Sequence, residues 1–205
     1  NLGGFINKTG VWGPDEEPVY DPMDDSPLKW RVGPRGQHIE MGIAEMNLVL
    51  ALGQLGLTWD FQGERLLPIG TLYDPFVMRA LEGIVFSVYQ GARFVLCGTP
   101  SGISLGREGG AHQSLSTPGI GIETPGLTYC EPCFARELEW LLLDGLARMQ
   151  EPDGESLYLR LSTKPIDQAP FLRYLAASAI STCVATPTSI QATRTHQHAA
   201  RSMRR

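Results

Sequence analysis

No run of apolar residues in this 205-residue chain is longer than Leu48–Leu52, and a helix that crosses a bilayer needs about 20. Membrane insertion is therefore not expected. A charged start followed by an apolar segment is also missing, as is the dense cysteine pattern of a small disulfide scaffold, since only four cysteines are spread along the chain. These absences lead to the expectation of a soluble, cytoplasmic protein. Positive charge is in short supply, with 17 Lys and Arg against 22 Asp and Glu and a net charge of −5, which argues against a nucleic-acid partner. The acids in turn are missing from residues 168–205, which hold five Arg among Ala, Ser, Thr and His. A basic tail can be a nucleic-acid arm. This one has neither Lys-rich blocks nor helical spacing, so residues 169–205 read as an atypical, poorly ordered tail, foreign or out of frame with the rest.

What remains is 42% apolar residues, enough for one core-forming domain over residues 1–168. Its opening, Asn1-Leu-Gly-Gly-Phe5, reads as the middle of something larger, so the domain is expected to be incomplete at its start. Residues 13–36 contain Pro14, Pro18, Pro22, Pro27 and Pro34 and predict an irregular excursion. Beyond it strands and helices alternate. Arg65–Tyr73 and Ala92–Gly98 read as buried strands with a helix over Phe76–Gln90 between them. Thr99–Ile122 reads as a loop, Leu127–Cys130 as a short strand, Phe134–Met149 as an amphipathic helix and Ser156–Leu161 as a last strand. This order predicts an α/β fold, a mostly parallel sheet flanked by helices, with ligands met beyond the carboxyl ends of the strands. No internal repeat is evident.

Three features carry chemistry. Glu45 is a carboxylate inside the apolar stretch His38–Leu57. If that stretch is a helix at about 100° per residue, Glu40, Asn47 and Gln54 share a polar stripe and Glu45 falls on the opposite, buried side. A buried carboxyl needs a hydrogen-bond partner, and desolvation raises its pKa, so such a group is a candidate to give or share a proton. Gly70-Thr-Leu-Tyr-Asp-Pro-Phe76 sets two rings three residues apart where a strand becomes a helix. Tyr73 and Phe76 can form a flat wall for a heteroaromatic ligand or can simply pack in the core. Gly98–Gln113 places Glu108 and His112 among glycines after a strand. A histidine there can move a proton near neutral pH or can be a solvated loop residue.

The order of these pieces resembles the pyrimidine-binding domain of the transketolase-like thiamine diphosphate family. The likeness is closest to the homodimeric bacterial pyruvate dehydrogenase decarboxylating components. It rests on Asn1-Leu-Gly-Gly4, Gly36-Gln-His-Ile-Glu-Met-Gly-Ile-Ala-Glu-Met-Asn47, Leu67-Pro-Ile-Gly-Thr-Leu-Tyr-Asp-Pro-Phe76, Gly98-Thr-Pro-Ser-Gly102, Glu108-Gly-Gly-Ala-His-Gln-Ser114 and Leu159-Arg-Leu-Ser-Thr-Lys-Pro-Ile-Asp-Gln168. It covers residues 1 to about 170. The resemblance implies that Glu45 hydrogen-bonds the pyrimidine ring of thiamine diphosphate and activates it, and that Tyr73 and Phe76 surround that ring. It implies that His112 faces the reacting carbonyl. Glu108 matches a nearby acidic position that is usually Asp in transketolases. The implied reaction is oxidative decarboxylation of pyruvate with acetyl transfer to a lipoyl group on the acyltransferase component.

The departures matter as much. The family's diphosphate and Mg2+ are held by a separate domain carrying Gly-Asp-Gly, which this chain lacks, and Pro152-Asp-Gly154 reads as a turn. No metal ligand is therefore expected here, and the missing half of the site would come from a homodimer mate or a full-length subunit. The alternatives are a non-catalytic remnant, a transketolase, or another 2-oxo acid dehydrogenase relative. Cys130-Glu-Pro-Cys133 has redox or zinc spacing but no second pair. Cys97 and Cys183 read as incidental thiols, and His38, His196 and His198 have no motif partner.

Overall fold

A computed structural model describes residues 3–14 and 30–173. The chain divides into two compact units, Asn1–Ala44 and Glu45–Arg205. In the first, helix α1 (Gly3–Thr9) leads into strand β1 (Val11–Trp12), which pairs in parallel with β2 (Val32–Gly33). A further bridge joins Val11 to His38. His38 thus has a backbone role, its carbonyl accepting from the Trp12 N–H at 2.7 Å. Most of the expected 13–36 excursion lies outside the described residues.

The second unit is the α/β body. It contains helices α2 (Glu45–Gly56) and α3 (Thr58–Gln62), strand β3 (Ile69–Leu72), a 3-10 segment Asp74–Ala80, helix α4 (Leu81–Tyr89) and strand β4 (Val95–Gly98). Helix α5 (Thr117–Glu123), strand β5 (Leu127–Cys130), helix α6 (Ala135–Arg148) and strand β6 (Ser156–Arg160) follow. The strands form one sheet in the order β3-β4-β6-β5, every neighbouring pair parallel. The predicted α/β class with a parallel sheet is what forms.

Strand alternation sorts the core into two layers. Phe94, Leu96 and Tyr158 join Val49, Leu52, Val77 and Ile84 on the face covered by α2 and α4. Val95, Cys97, Leu157 and Leu159 meet Leu138, Leu141, Leu142 and Leu146 of α6 on the other. Phe94, Ile84 and Tyr158 are wholly buried, each such side chain contributing about 1.5–3 kcal/mol. Truncating Ile84→Ala would therefore cost about 2–5 kcal/mol.

Three expectations change in detail. The helix that holds Glu45 starts at Glu45 itself, because Gly42 sits at φ +64° and the chain before it is not helical. Glu40 is therefore not on a helical stripe with Asn47 and Gln54. The strand expected over Arg65–Tyr73 is only four residues long, and its Ile69 and Thr71 are exposed. The expected loop Thr99–Ile122 contains α5 and two 3-10 turns, Gly102–Leu105 and Gly110–His112. At the far end, residues 169–173 are helical. Phe171 stacks on Phe134 at 5.1 Å and meets Trp140 at 5.8 Å. The remainder of the expected tail, with Cys183, His196 and His198, lies outside the described residues. No helix among the described residues is long and apolar enough to cross a membrane.

Candidate functional site

Register aligns the strand ends. Leu72 of β3 pairs with Gly98 of β4, and Gly98 with Arg160 of β6, so the segments that follow all emerge on one edge of the sheet. Tyr73 and Phe76 leave β3 there, their rings edge to face at 5.0 Å. The β4 loop brings His112 to 6.1 Å from each of those two rings. The same loop brings Glu108 to Tyr73, whose hydroxyl donates to Glu108 Oε2. That hydrogen bond, with burial and the carboxylate charge adding to it, pushes the Tyr73 phenol up to about 12.

Glu45 reaches the group from α2. Its carboxylate lies at the amino end of the helix, where the helix dipole favours negative charge. The side chain is only 13% exposed, and Oε1 accepts from Arg79 Nη1 at 3.3 Å. The expected burial is thus largely met, at the first helical residue rather than on a buried face, and the carboxylate has a cationic partner. The Arg79 guanidinium also lies 3.7 Å from the centre of the Phe76 ring, a cation–π contact. All five residues singled out in the sequence therefore connect through Arg79, Phe76 and Tyr73 into one cluster. Arg79 itself was not singled out, although its place three residues after Phe76 in a helical segment was the available signal.

A second group beneath the cluster was also missed. Asp74 is wholly buried and accepts from Tyr158 Oη at 2.6 Å, Arg160 Nε at 3.0 Å and Thr117 Oγ1 at 2.9 Å. Arg160 in turn donates to Glu131 Oε1 at 2.6 Å and to the carbonyl and hydroxyl of Ser114 at 3.0 and 3.1 Å. Burial followed by the Asp74 hydrogen bond raises the Tyr158 phenol. Burial alone would lower the Arg160 guanidinium, but Asp74 and Glu131 outweigh it and hold the charge. The space is tight, since a Cβ on Gly98 would sit 2.2 Å from Asp74 Oδ1.

The remaining candidates stand apart. Cys97, Cys130 and Cys133 are free thiols, and burial pushes both Cys97 and Cys130 up to about 11, the opposite of a reactive thiolate. Among the described residues no three His, Cys, Asp or Glu side chains gather as metal ligands would.

No family model matches the chain. It is similar to curated proteins named pyruvate dehydrogenase E1 component. That of Corynebacterium glutamicum is 30% identical over 155 residues, which is 73% of this chain and 17% of the relative. That of Mycobacterium tuberculosis is 27% identical over 157 residues, 74% of this chain and 17% of the relative. That of Escherichia coli is 21% identical over 165 residues, 79% of this chain and 18% of the relative. The chain thus carries a pyruvate dehydrogenase E1-like region and spans less than a fifth of the length of the curated relatives it matches.

Proposed function

We propose that this pyruvate dehydrogenase E1-like region is the pyrimidine-side half of a thiamine diphosphate site in a 2-oxo acid dehydrogenase, with pyruvate as the substrate of the assembled enzyme. The observation that supports it most is the gathering of Glu45, Phe76, Tyr73 and His112 at one edge of the sheet. A mostly covered carboxylate linked through Arg79 to a pair of aromatic rings fits a flat, nitrogen-bearing ring. When bound, thiamine diphosphate supplies the electron sink for decarboxylation.

In this reading Glu45 holds a proton shared with a ring nitrogen, and its cover keeps water from competing for that hydrogen bond. Tyr73 and Phe76 offer the faces against which the ring lies. His112, 6.1 Å from both rings, stands where it can donate to an oxygen on the substrate side. Glu108 fixes the Tyr73 ring through its hydroxyl. Arg79 now lies across Phe76 and on Glu45, so a ring seated there must displace it. Its side chain is 56% exposed, and swinging out requires no repacking.

The diphosphate and its magnesium would be held elsewhere, by a homodimer mate or by a full-length subunit. The whole enzyme would pass an acetyl group to a lipoyl acyltransferase partner. A second reading is a non-catalytic remnant that keeps these residues but binds no cofactor and turns over nothing alone. Calorimetric titration with thiamine diphosphate and magnesium separates the two. Heat of binding only when a diphosphate-binding subunit is present supports the half-site, and none in either case from a folded sample removes it. Glu45→Gln should abolish turnover in the assembled enzyme while leaving the thermal midpoint in place.

A further inference from the structure

The topology sends one loop over another strand's end. Because β6 lies between β4 and β5, the connection from β4 to β5 has to pass β6, and its Gly102 and Ser114 meet Arg160, the last residue of that strand. The crossing loop is the segment that carries Glu108 and His112.

Arg160 contacts that loop near both of its ends. Its Nη2 holds the Ser114 carbonyl and hydroxyl at 3.0 and 3.1 Å. A Cβ added at Gly102 would sit 2.9 Å from the same nitrogen and 2.4 Å from the Gln113 carbonyl. Ser114 has φ +50°, a left-handed conformation that no other non-glycine among the described residues adopts and that is strained for any residue with a Cβ. Strain of that kind persists only where surrounding contacts over-determine it. Here the contacts are Arg160 and the Thr117 hydroxyl, 3.1 Å from the Ser114 carbonyl. The other side of the guanidinium is anchored on Asp74, which follows Tyr73 directly in sequence, and on Glu131. One planar fork therefore ties the wall of the candidate site to the loop that faces it.

We propose that Arg160 is a positioning residue that fastens the Gly98–Gln113 loop to the end of β3, and so holds His112 and Glu108 against Tyr73 and Phe76. The proposal rests on the half-site reading only for what the fastened loop does to a ligand. The fastening itself requires no ligand.

Native-state proteolysis of the chain tests it. Arg107 lies exposed on the loop, and Arg65 lies exposed outside it, against Trp59. Arg160→Lys keeps a charge for Asp74 but cannot span Asp74, Glu131 and Ser114 together. It should raise tryptic cleavage after Arg107 by about tenfold relative to cleavage after Arg65, because local opening governs such cuts. Gly102→Ala keeps Arg160 intact while pushing the loop off it, and should give the same selective increase. In both variants the Tyr73 phenol, followed as the difference from Tyr73→Phe, should titrate closer to the ordinary 10 as Glu108 is released. Equal acceleration at both sites with an unmoved Tyr73 titration would mean that Arg160 only stabilises the fold, and unchanged cleavage would mean that it fastens nothing. Either result overturns the proposal. Selective cleavage from a chain that binds no cofactor with any partner would leave the fastening standing and remove the half-site reading. Cofactor binding with unselective cleavage would do the reverse.

Discussion

Tyr73 and Glu108 are joined by a hydrogen bond that exists only while the phenol keeps its proton. The folded-state pKa is raised, from 10.0 to about 12, so the contact contributes stability in full below pH 10 and loses it as pH rises between 10 and 12. Glu108→Gln should bring the titration back toward 10, read as tyrosinate absorbance against a Tyr73→Phe reference, and a titration still near 12 would mean that burial dominates instead. At Glu45 the decisive question is how much its partner matters. Arg79 is 56% exposed, so the pair should behave as a surface bridge, and Arg79→Ala should cost about 1 kcal/mol or less in urea unfolding. A loss of about 3 kcal/mol or more would show that Glu45 is a buried charge dependent on it. Glu45 was legible as a residue because a lone acid in an apolar run is conspicuous. Asp74 was not, because its partners Thr117, Tyr158 and Arg160 lie 43, 84 and 86 residues away and no local pattern announces them. Arg160 was the one usable sign, since an arginine that ends a strand buried along its whole length requires an acid nearby.

Among the elements, α2 and α4 approach closely because of two small residues. A Cβ at Gly53 would lie 2.3 Å from Ser87 Oγ and 3.0 Å from Ser87 Cβ. Gly53→Val should therefore force the helices apart and cost about 1–3 kcal/mol. Adding Ser87→Gly should return a measurable part of that loss in a double-mutant cycle. Additive losses would mean that these helices do not meet at this point. The strands β4 and β6 were easy to read because their apolar runs are continuous and buried on both faces. Helix α5 was hidden. Thr117-Pro-Gly-Ile-Gly-Ile-Glu123 has two glycines and a proline, which read as loop. Tertiary contact overrides that propensity, because Gly121 lies against the Tyr129 ring so closely that a Cβ would be 2.4 Å from it. The proline, near the start of the helix, fits its first turn.

For the molecule as a whole, the order of strand, loop and helix was enough to place Tyr73, Phe76, His112 and Glu108 on one edge, because a parallel sheet puts every strand's carboxyl end on the same side. The distances that join them were not readable, since they depend on β6 entering between β4 and β5, and strand order is not written in local periodicity. Among the described residues the same order leaves β3 as an edge. Ile69 on it is 50% exposed, with Leu66 and Leu67 exposed just before it, and an apolar edge strand is a template for pairing with another chain. Because the Ile69 side chain contributes little to the core, Ile69→Lys should change unfolding stability by about 0.5 kcal/mol or less. The same substitution should lower light scattering at high protein concentration, since charge on an edge strand opposes strand addition. Scattering that persists in the lysine variant would assign self-association to a different surface. A large loss of stability would mean instead that Ile69 is covered in solution by a second copy, and that the edge is an interface rather than a liability.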